Sequence, residues 1–253
     1  MRKTLVFSLL VLLFCLVAGL PLVAQDEAAE AAKDAEAIEI LKKVDAAIKK
    51  VSSVRYTTET EPGGVAVNFT SPGKGSAVIS GWTGSVPEKF LIEAETKRPG
   101  SDETVKITAG GDGEMYFLID HASKKVYQDM DPAVMGSSAN LLFGFAMVEF
   151  VHDAPFDDEL NAETVELQGT AKMGDEDCYK VHVVYAGGQG QSTWYFSKSD
   201  YLPRGRIQHF STPQGDGSIE RTIFDLDVDP KLDASLFAMK MPEGYEQIDD
   251  FAP

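Results

Sequence analysis

The sequence predicts a mainly β protein with a smaller α-helical part, and three patterns along the chain predict this α+β class. A charged, alanine-rich segment with a helical period comes first, and a long series of short segments with a period of two follows. One almost uncharged apolar segment interrupts that series. Because the chain is long enough for one core and no Pro- or Ser-rich linker divides it, we expect a single domain over residues 25–253.

Residues 1–24 have the features of a secretory signal peptide. Two basic residues precede an apolar stretch from Leu5 to Val17, and Ala24 is a small residue suited to cleavage. The stretch approaches the length of a membrane anchor, but Pro21 and the acidic residues that follow Ala24 favour cleavage. The residues before Cys15 lack the small side chain that lipoprotein processing requires. We therefore expect an exported, soluble protein without a stable membrane anchor.

The net charge excludes some binding partners, and the number of cysteines excludes stabilisation by a disulfide bond. The formal net charge is −17, so nucleic acid is excluded as a partner, because binding it relies on lysine and arginine. An anionic membrane surface should also repel the chain. Cleavage would leave one cysteine, Cys178, so no intramolecular disulfide can form and stability must come from a core.

The segment Asp26–Val51 predicts an amphipathic helix. Its apolar residues Leu41, Val44, Ile48 and Val51 recur at three- and four-residue steps. From residue 54 onward the period is two, which is typical of half-buried antiparallel strands.

Short alternating segments separated by Gly, Pro and Asp clusters predict successive hairpins. Val65, Val67 and Phe69 would share one strand face, and Phe90 and Ile92 would share another. After residue 162 the pattern predicts five further strands: Val165–Thr170, Tyr179–Tyr185, Gln191–Phe196, Arg204–Phe210 and Ile219–Val228.

An apolar segment lies between the two series of strands. Asp131 and Pro132 are a good start for a helix, and the residues from there to Val151 carry almost no charge. Its large apolar residues would coat a helix on every side: Leu141, Leu142, Phe143, Phe145, Met147, Val148, Phe150 and Val151. A helix that is apolar all round must be surrounded, so we expect it inside the curve of the sheet or plugging its mouth.

The residues that carry chemistry form no recognisable catalytic or metal motif. The four histidines match no metal spacing, and Cys178 in an alternating strand is expected to be a buried inert thiol. The aspartates from Asp225 to Asp233 resemble a calcium loop, but Pro230 and Leu236 replace the required Gly and Glu. We expect these aspartates to face water while Phe224, Leu226 and Val228 face inward. The many inward-facing apolar residues fit either an ordinary core or a hydrophobic cavity.

Several motifs in order resemble the LolA/LolB-like superfamily of bacterial outer-membrane lipoprotein carriers. The quoted segments are Lys50-Val51-Ser52-Ser53-Val54-Arg55-Tyr56-Thr57, Pro87-Glu88-Lys89-Phe90, Asp112-Gly113-Glu114-Met115-Tyr116-Phe117, Lys125-Val126-Tyr127, Asp233-Ala234-Ser235-Leu236-Phe237 and Met241-Pro242-Glu243-Gly244-Tyr245. Together they cover residues 38–250 approximately. The family's arginine before the Pro-x-x-Phe proline, whose contacts hold a lid closed, is replaced by Val86, and Arg55 or Arg204 could take its place.

The resemblance implies an open, strongly curved antiparallel sheet, an unclosed barrel whose apolar concave face is covered by helices. It favours a ligand cavity with the apolar segment as lid or plug. The residues expected to line the cavity and lid are Phe69, Trp82, Phe90, Ile92, Leu141, Leu142, Phe143, Phe145, Met147, Phe150, Trp194, Phe196, Phe224 and Leu226.

The function implied is a periplasmic, non-enzymatic carrier or chaperone that shields the acyl chains of lipoproteins or other lipids. Its partners would be an acylated lipoprotein or lipid, an inner-membrane donor and an outer-membrane acceptor, and it would need no cofactor. An envelope sensor or structural protein with the same fold is the first alternative. A secreted enzyme is the second, although the sequence shows no cluster of titratable residues for a catalytic pocket.

Overall fold

The computed structural model describes residues 22–84, 86–97, 103–130 and 144–248. Residues 1–21 of the predicted leader and residues 131–143 lie outside these ranges. The helices are α1 (Leu22–Ile48) and α2 (Asp157–Leu160). The strands are β1 (Ser53–Gly64), β2 (Gly73–Trp82), β3 (Pro87–Lys97), β4 (Thr104–Gly111), β5 (Tyr116–Asp120), β6 (Lys125–Asp129), β7 (Thr164–Met173), β8 (Glu176–Val184), β9 (Gln191–Ser197), β10 (Pro203–Thr212), β11 (Gly215–Val228) and β12 (Glu246–Ile248).

The strands in the described ranges belong to one 12-stranded sheet in the order β12-β6-β5-β4-β3-β2-β1-β11-β10-β9-β8-β7. Two antiparallel meanders, β1 to β6 and β7 to β11, are joined by the pairing of β1 with β11. The pairing of β12 with β6 is parallel. Since β12 and β7 lie at opposite edges, the sheet is not closed, and the predicted open antiparallel sheet is confirmed.

One face of the sheet, called here the inner face, carries the core. In β3 the predicted alternation is confirmed, because Phe90 and Ile92 are buried whereas Glu93 and Glu95 are exposed. Helix α1 packs against this face through its buried apolar residues, which are Ala37, Ile40, Leu41, Val44 and Ile48. The predicted amphipathic helix is therefore confirmed, although it ends at Ile48.

The C-terminal segment, residues 239–248, covers part of the opposite face of the sheet, called here the outer face. Phe117, Ile119 and Val126 form a second buried cluster there, against which Met239 and Tyr245 pack. Strand β12 continues this segment along the edge of β6. The closing segment that the sequence singled out thus protects one edge strand of the sheet.

The predicted strand through Val65, Val67 and Phe69 is wrong. The chain turns at Gly64, whose φ is +59° and whose added Cβ would lie 2.2 Å from the Asp216 carbonyl oxygen. A 3₁₀ helix, Val65–Asn68, follows this turn. Phe69 is 51% exposed at its end and contacts the ring of Phe210, so it does not line the buried face.

The predicted inward orientation of Phe224 is also wrong. Asp225 has a φ of +52°, and the register between β1 and β11 shifts at this point. This bulge inverts the alternation, so Ile223 is buried on the inner face and Phe224 lies on the outer face beside Thr57. Beyond the bulge Leu226 returns to the inner face, where it is half-buried against the core.

The apolar segment is not helical where the structure describes it. Residues 144–151, called here the plug segment, begin with a turn and contain only the 3₁₀ helix Val148–Phe150, so the predicted α-helix is wrong over this range. Its side chains nevertheless enter the core of the inner face: Phe145 is 2% exposed, Met147 0% and Phe150 1%. Leu141, Leu142 and Phe143 lie outside the described residues.

Candidate functional site

The plug segment fills a recess that the sheet leaves for it. The first two inner-face positions of β2 are Gly73 and Gly75, which carry no side chain. A Cβ added at Gly73 would lie 2.7 Å from Phe145 Cζ, and one added at Gly75 would lie 3.1 Å from Phe145 Cδ1. Both distances are shorter than ordinary van der Waals contact, so the Phe145 ring occupies the room of two missing side chains.

Two side chains of β1 bind the backbone of the plug segment. The Tyr56 hydroxyl accepts a hydrogen bond from the Met147 amide at 2.7 Å and lies 3.3 Å from the Phe145 carbonyl oxygen, to which it donates. The Thr60 hydroxyl donates to the Gly144 carbonyl at 2.9 Å. Burial raises the pKa of the Tyr56 phenol, which keeps it neutral and able to donate.

Arg221 of β11 completes this set of contacts. Its Nε donates to the Gly144 carbonyl at 2.6 Å, and its Nη1 donates to the Ala146 carbonyl at 3.1 Å. Burial lowers the pKa of the guanidinium, but the Glu149 carboxylate acts in the opposite direction. The plug segment is therefore held by side-chain bonds to its backbone, where a strand or helix would use backbone-to-backbone bonds.

Arg206 of β10 makes an ion pair with the plug segment. Its Nη1 lies 3.3 Å from Glu149 Oε1, and the two side chains are 21% and 17% exposed. Its Nε donates to Ser192 Oγ at 2.9 Å, and the guanidinium lies 4.7 Å from the centre of the Trp194 ring. Arg206 and Arg221 are direct partners in the β10–β11 register, so two guanidinium groups stand side by side on the inner face.

A buried carboxyl group lies next to this pair. Glu159 of α2 is 5% exposed, and its Oε1 accepts a hydrogen bond from the Tyr185 hydroxyl at 2.6 Å. Burial raises the pKa of Glu159, and burial also raises the pKa of Tyr185 to about 12. The same hydroxyl lies 3.3 Å from Arg206 Nη2. A cleft of 270 Å³ borders these groups, between the end of the plug segment and α2.

Most of the predicted ligand-binding residues are brought together. One continuous core on the inner face contains Phe90, Ile92, Phe145, Met147, Phe150, Trp194 and Phe196, with Leu226 packed against it. Trp82 is half-buried, and its ring lies 4.6 Å from that of His152. Phe69 and Phe224 lie elsewhere, as described above.

The polar residues of the site were not predicted. Of the two arginines proposed to replace the family's lid-binding arginine, Arg55 is exposed, and Arg204 binds Asp200 at 2.7 Å. Neither makes a hydrogen bond or an ion pair with residues 144–151, whereas Arg221 binds two of their carbonyl groups. Val86 is half-buried and packs against the core. The sequence contains one pattern that could have identified Arg221. It lies between Ile219 and Ile223, where an inward-facing arginine interrupts an alternation of apolar residues.

His182, His209 and Cys178 lie outside this region and have hydrogen-bond partners within the fold. Both His182 and His209 contact the Thr193 hydroxyl on the outer face, at 3.3 and 3.4 Å. Cys178 is buried, and burial raises its pKa to about 11, so it is a neutral thiol. Within the described ranges no three His, Cys, Asp or Glu side chains are grouped so that they could hold a metal ion. No helix in that part of the chain is long and apolar enough to span a membrane.

Comparison with known proteins finds similarity only among solved structures. No protein-family profile matches the sequence, and no curated protein matches it in a sequence comparison. MucB, also solved with MucA from Pseudomonas aeruginosa, is 10% identical with a TM-score of 0.49, and the alignment covers 81% of this chain and 63% of MucB. The Mycobacterium tuberculosis lipoprotein LppX is 12% identical with a TM-score of 0.46, and 79% of this chain and 98% of LppX are covered.

A third similar structure is a LolA superfamily protein from Nitrosomonas europaea. It is 11% identical with a TM-score of 0.37, and the alignment covers 79% of this chain and 96% of that protein.

Proposed function

We propose that this protein binds acyl chains on the inner face of its sheet and that the plug segment occupies this face until a ligand displaces it. The proposal rests on how the plug segment is attached to the sheet. Its apolar side chains are as deeply buried as those of the sheet, yet Tyr56, Thr60 and Arg221 hold its backbone. Such a segment can leave without breaking any strand pairing.

The energetics of exchange favour a hydrocarbon ligand. Burying an acyl chain contributes about 0.8 kcal/mol per methylene, so a chain of moderate length offsets the burial lost when Phe145, Met147 and Phe150 leave. A hydrogen bond between the sheet and the plug contributes only about 1 kcal/mol net. The plug segment and an acyl chain therefore compete for the same apolar surface with comparable binding free energies.

A wider role follows from the expected export of the chain. We infer that residues 1–24 are removed as a signal peptide and that residues 25–253 act as one domain in the bacterial periplasm. An acyl chain of ~15 methylenes would cost about 12 kcal/mol to expose to water, so its passage between membranes requires a shielding protein. The protein would serve as a carrier or chaperone for lipoproteins or other lipids, between an inner-membrane donor and an outer-membrane acceptor, without catalysis or cofactor.

Two measurements test binding. Organic extraction of the protein purified from an envelope fraction, followed by mass spectrometry, should identify co-purifying acyl lipids. In parallel, the delipidated protein should bind a fluorescent fatty acid, and Phe145→Ala should bind it more tightly because the competing plug is weakened. The matched control is Phe224→Ala, which removes a phenylalanine from the outer face and should leave affinity unchanged.

The outcomes distinguish a plug from a lid and test whether the protein binds lipid. Tighter binding by Phe145→Ala supports a plug that occupies the ligand site. Weaker binding by a folded Phe145→Ala would mean that the segment is a lid lying over the ligand. Absence of co-purifying lipid together with absence of probe binding in both variants and in the unaltered protein would overturn the proposal.

A further inference from the structure

The plug segment supplies negatively polarised oxygen atoms to two arginines as well as hydrocarbon to the core. The Glu149 carboxylate pairs with Arg206, and the Gly144 and Ala146 carbonyls accept bonds from Arg221. Because Arg206 and Arg221 are register partners on adjacent strands, all of these oxygens converge on one small region of the inner face. The plug segment therefore combines buried apolar side chains with oxygen atoms that bind the two arginines.

Displacement of the plug would alter the charge balance of this region. Arg206 would lose the Glu149 carboxylate, and Arg221 would lose two carbonyl acceptors. The carboxyl that remains nearby is that of Glu159, which stays on α2 bonded to Tyr185 and whose ionisation is disfavoured by burial. The Arg206 guanidinium would then face at most the Glu159 carboxyl in an apolar surface. A desolvated guanidinium without an anionic partner is strongly destabilising.

We propose that the ligand that displaces the plug is an anionic amphiphile, with its acyl chain on the inner face and its negatively charged head group bound by Arg206 and Arg221. This inference rests on the proposed function, which it makes more specific. The head group is a carboxylate or a phosphate monoester, because both present the two oxygen atoms that a guanidinium binds through paired, charge-assisted hydrogen bonds. An uncharged head would leave the Arg206 charge without the partner that Glu149 had provided.

Trp194 makes this arrangement measurable. Its indole is buried at 0% exposure beneath the Arg206 guanidinium, so the bound head group would lie close to it. The chain has two tryptophans, and Trp82→Phe leaves Trp194 as the single fluorophore. A bromine atom near the carboxylate of a fatty acid should quench Trp194 more strongly than one at the far end of the chain.

The experiment compares ligands of equal chain length in the Trp82→Phe protein. Laurate, lauryl phosphate and lauryl alcohol are titrated, with inorganic phosphate as the head group alone. The two anions should bind about tenfold more tightly than the alcohol, a difference of ~1.4 kcal/mol. Laurate and lauryl phosphate distinguish the two head-group chemistries. Inorganic phosphate should bind weakly, since it lacks the acyl chain.

Substitutions test whether Arg206 causes the preference for anionic ligands. Arg206→Gln should bring the ratio of anion to alcohol affinity close to one, whereas the exposed Arg55→Gln on the outer face should leave it unchanged. Glu149→Gln should strengthen binding of both ligands by weakening the plug, with the anion still preferred. If Arg206→Gln does not fold, two measurements on the Trp82→Phe protein decide. They are the ratio of anion to alcohol affinity and the dependence of Trp194 quenching on the position of the bromine atom.

The failures of the two proposals are distinguishable. Equal, measurable affinity for laurate and lauryl alcohol would overturn the anionic head-group site and leave acyl binding standing. Absence of binding by all the acyl ligands would overturn both. An anion preference that persists unchanged in a folded Arg206→Gln variant would also overturn the assignment.

Discussion

Arg221 and Gly144 are separated by 77 residues in the chain, yet the Arg221 Nε donates to the Gly144 carbonyl oxygen at 2.6 Å. The same oxygen accepts a bond from the Thr60 hydroxyl at 2.9 Å. Thr60 and Arg221 are register partners in the β1–β11 pair, which joins the two meanders of the sheet. The entry of the plug segment onto the inner face is therefore fixed by the one strand pair that holds the two halves of the sheet together.

Replacement of Tyr56 by phenylalanine should loosen the plug segment. The change removes the bond to the Phe145 carbonyl and leaves the buried Met147 amide without its acceptor. An unsatisfied buried amide costs about 1–3 kcal/mol, so the population with the plug displaced should rise roughly tenfold. Hydrogen exchange of the Met147 amide should accelerate accordingly, with little change in the exchange of strand amides.

A matched control for this change is Tyr195→Phe, which removes a hydroxyl from the outer face of β9. It should leave exchange in the plug segment unaltered. If Tyr56→Phe accelerated exchange equally throughout the sheet, the plug segment would be part of the cooperative fold and could not open by itself.

Glu159→Gln should stabilise the protein at neutral pH. Burial raises the pKa of Glu159 above its ordinary value, so the unfolded chain releases this proton at a lower pH than the folded protein does. Stability is therefore lost as pH rises from the unfolded pKa of about 4.3 through the folded pKa. Glutamine keeps an oxygen that accepts the Tyr185 bond and carries no charge, so this loss should disappear.

Thermal unfolding of the Glu159→Gln variant across pH gives the test. Its midpoint should exceed that of the unaltered protein at pH 7, and the two should converge below about pH 4, where the carboxyl is protonated in both states. The exposed neighbour Asp158, changed to asparagine, is the control and should reproduce neither effect. A constant difference at all pH values would show that packing, and not ionisation, is responsible.

The alternation of apolar and polar residues was sufficient to predict most of the sheet. It placed Phe90, Ile92, Trp194 and Phe196 in the core, where all four are buried. It failed for Phe224, because a single residue in a left-handed conformation inverts the pattern and nothing in the side chain of Asp225 requires that conformation.

The plug segment illustrates a different limit. Its uniform apolarity correctly predicts burial of Phe145, Met147 and Phe150. The helix is predicted from the start signal at Asp131 and Pro132 and from the near absence of charge up to Val151, and residues 144–151 do not form it. Instead, Tyr56 and Arg221 bind the backbone of this segment from distant parts of the sequence. Local periodicity contains no information on such partners, so neither the backbone conformation nor the polar half of the site could be predicted.

Replacement of Asp229 by alanine should destabilise the junction between α1 and β1. The Asp229 carboxylate accepts bonds from the Ser52 and Ser53 amides at 2.8 and 3.0 Å, and its own φ is +51°. Loss of both bonds and the strain of alanine in this conformation should together cost about 2–3 kcal/mol. Denaturant unfolding measures this loss.

Two variants separate the causes at this junction. Asp229→Asn keeps an acceptor and tolerates the left-handed conformation, so it should lose clearly less stability than Asp229→Ala. The exposed Asp227→Ala should be almost neutral. Equal losses in all three variants would contradict a specific role for the bonds to Ser52 and Ser53.

The attachment of the C-terminal segment should weaken in mild acid. The two ring nitrogens of His121 lie 2.9 Å from the Tyr245 hydroxyl and 3.0 Å from the Thr108 hydroxyl, so this residue connects the segment to β4. Burial, followed by the positive charge of Lys106, lowers the pKa of His121. The folded protein therefore favours the neutral imidazole.

The sign of the pH dependence follows from linkage. Because the folded pKa is below the unfolded value of about 6.5, the unfolded or detached state binds the proton first as pH falls. The contribution is complete above pH ~6.5 and is lost as pH decreases toward the folded pKa. Amide exchange over residues 239–248 should therefore accelerate between pH 7 and pH 5 after correction for the intrinsic rate.

Variants of the two residues test this coupling. His121→Gln should remove the pH dependence, while His182→Gln on the outer face should retain it. Tyr245→Phe should accelerate exchange already at pH 7, since it removes the bond that the histidine makes to the segment. A segment whose corrected exchange does not change between these pH values in the unaltered protein would show that His121 positions Tyr245 without coupling to its ionisation.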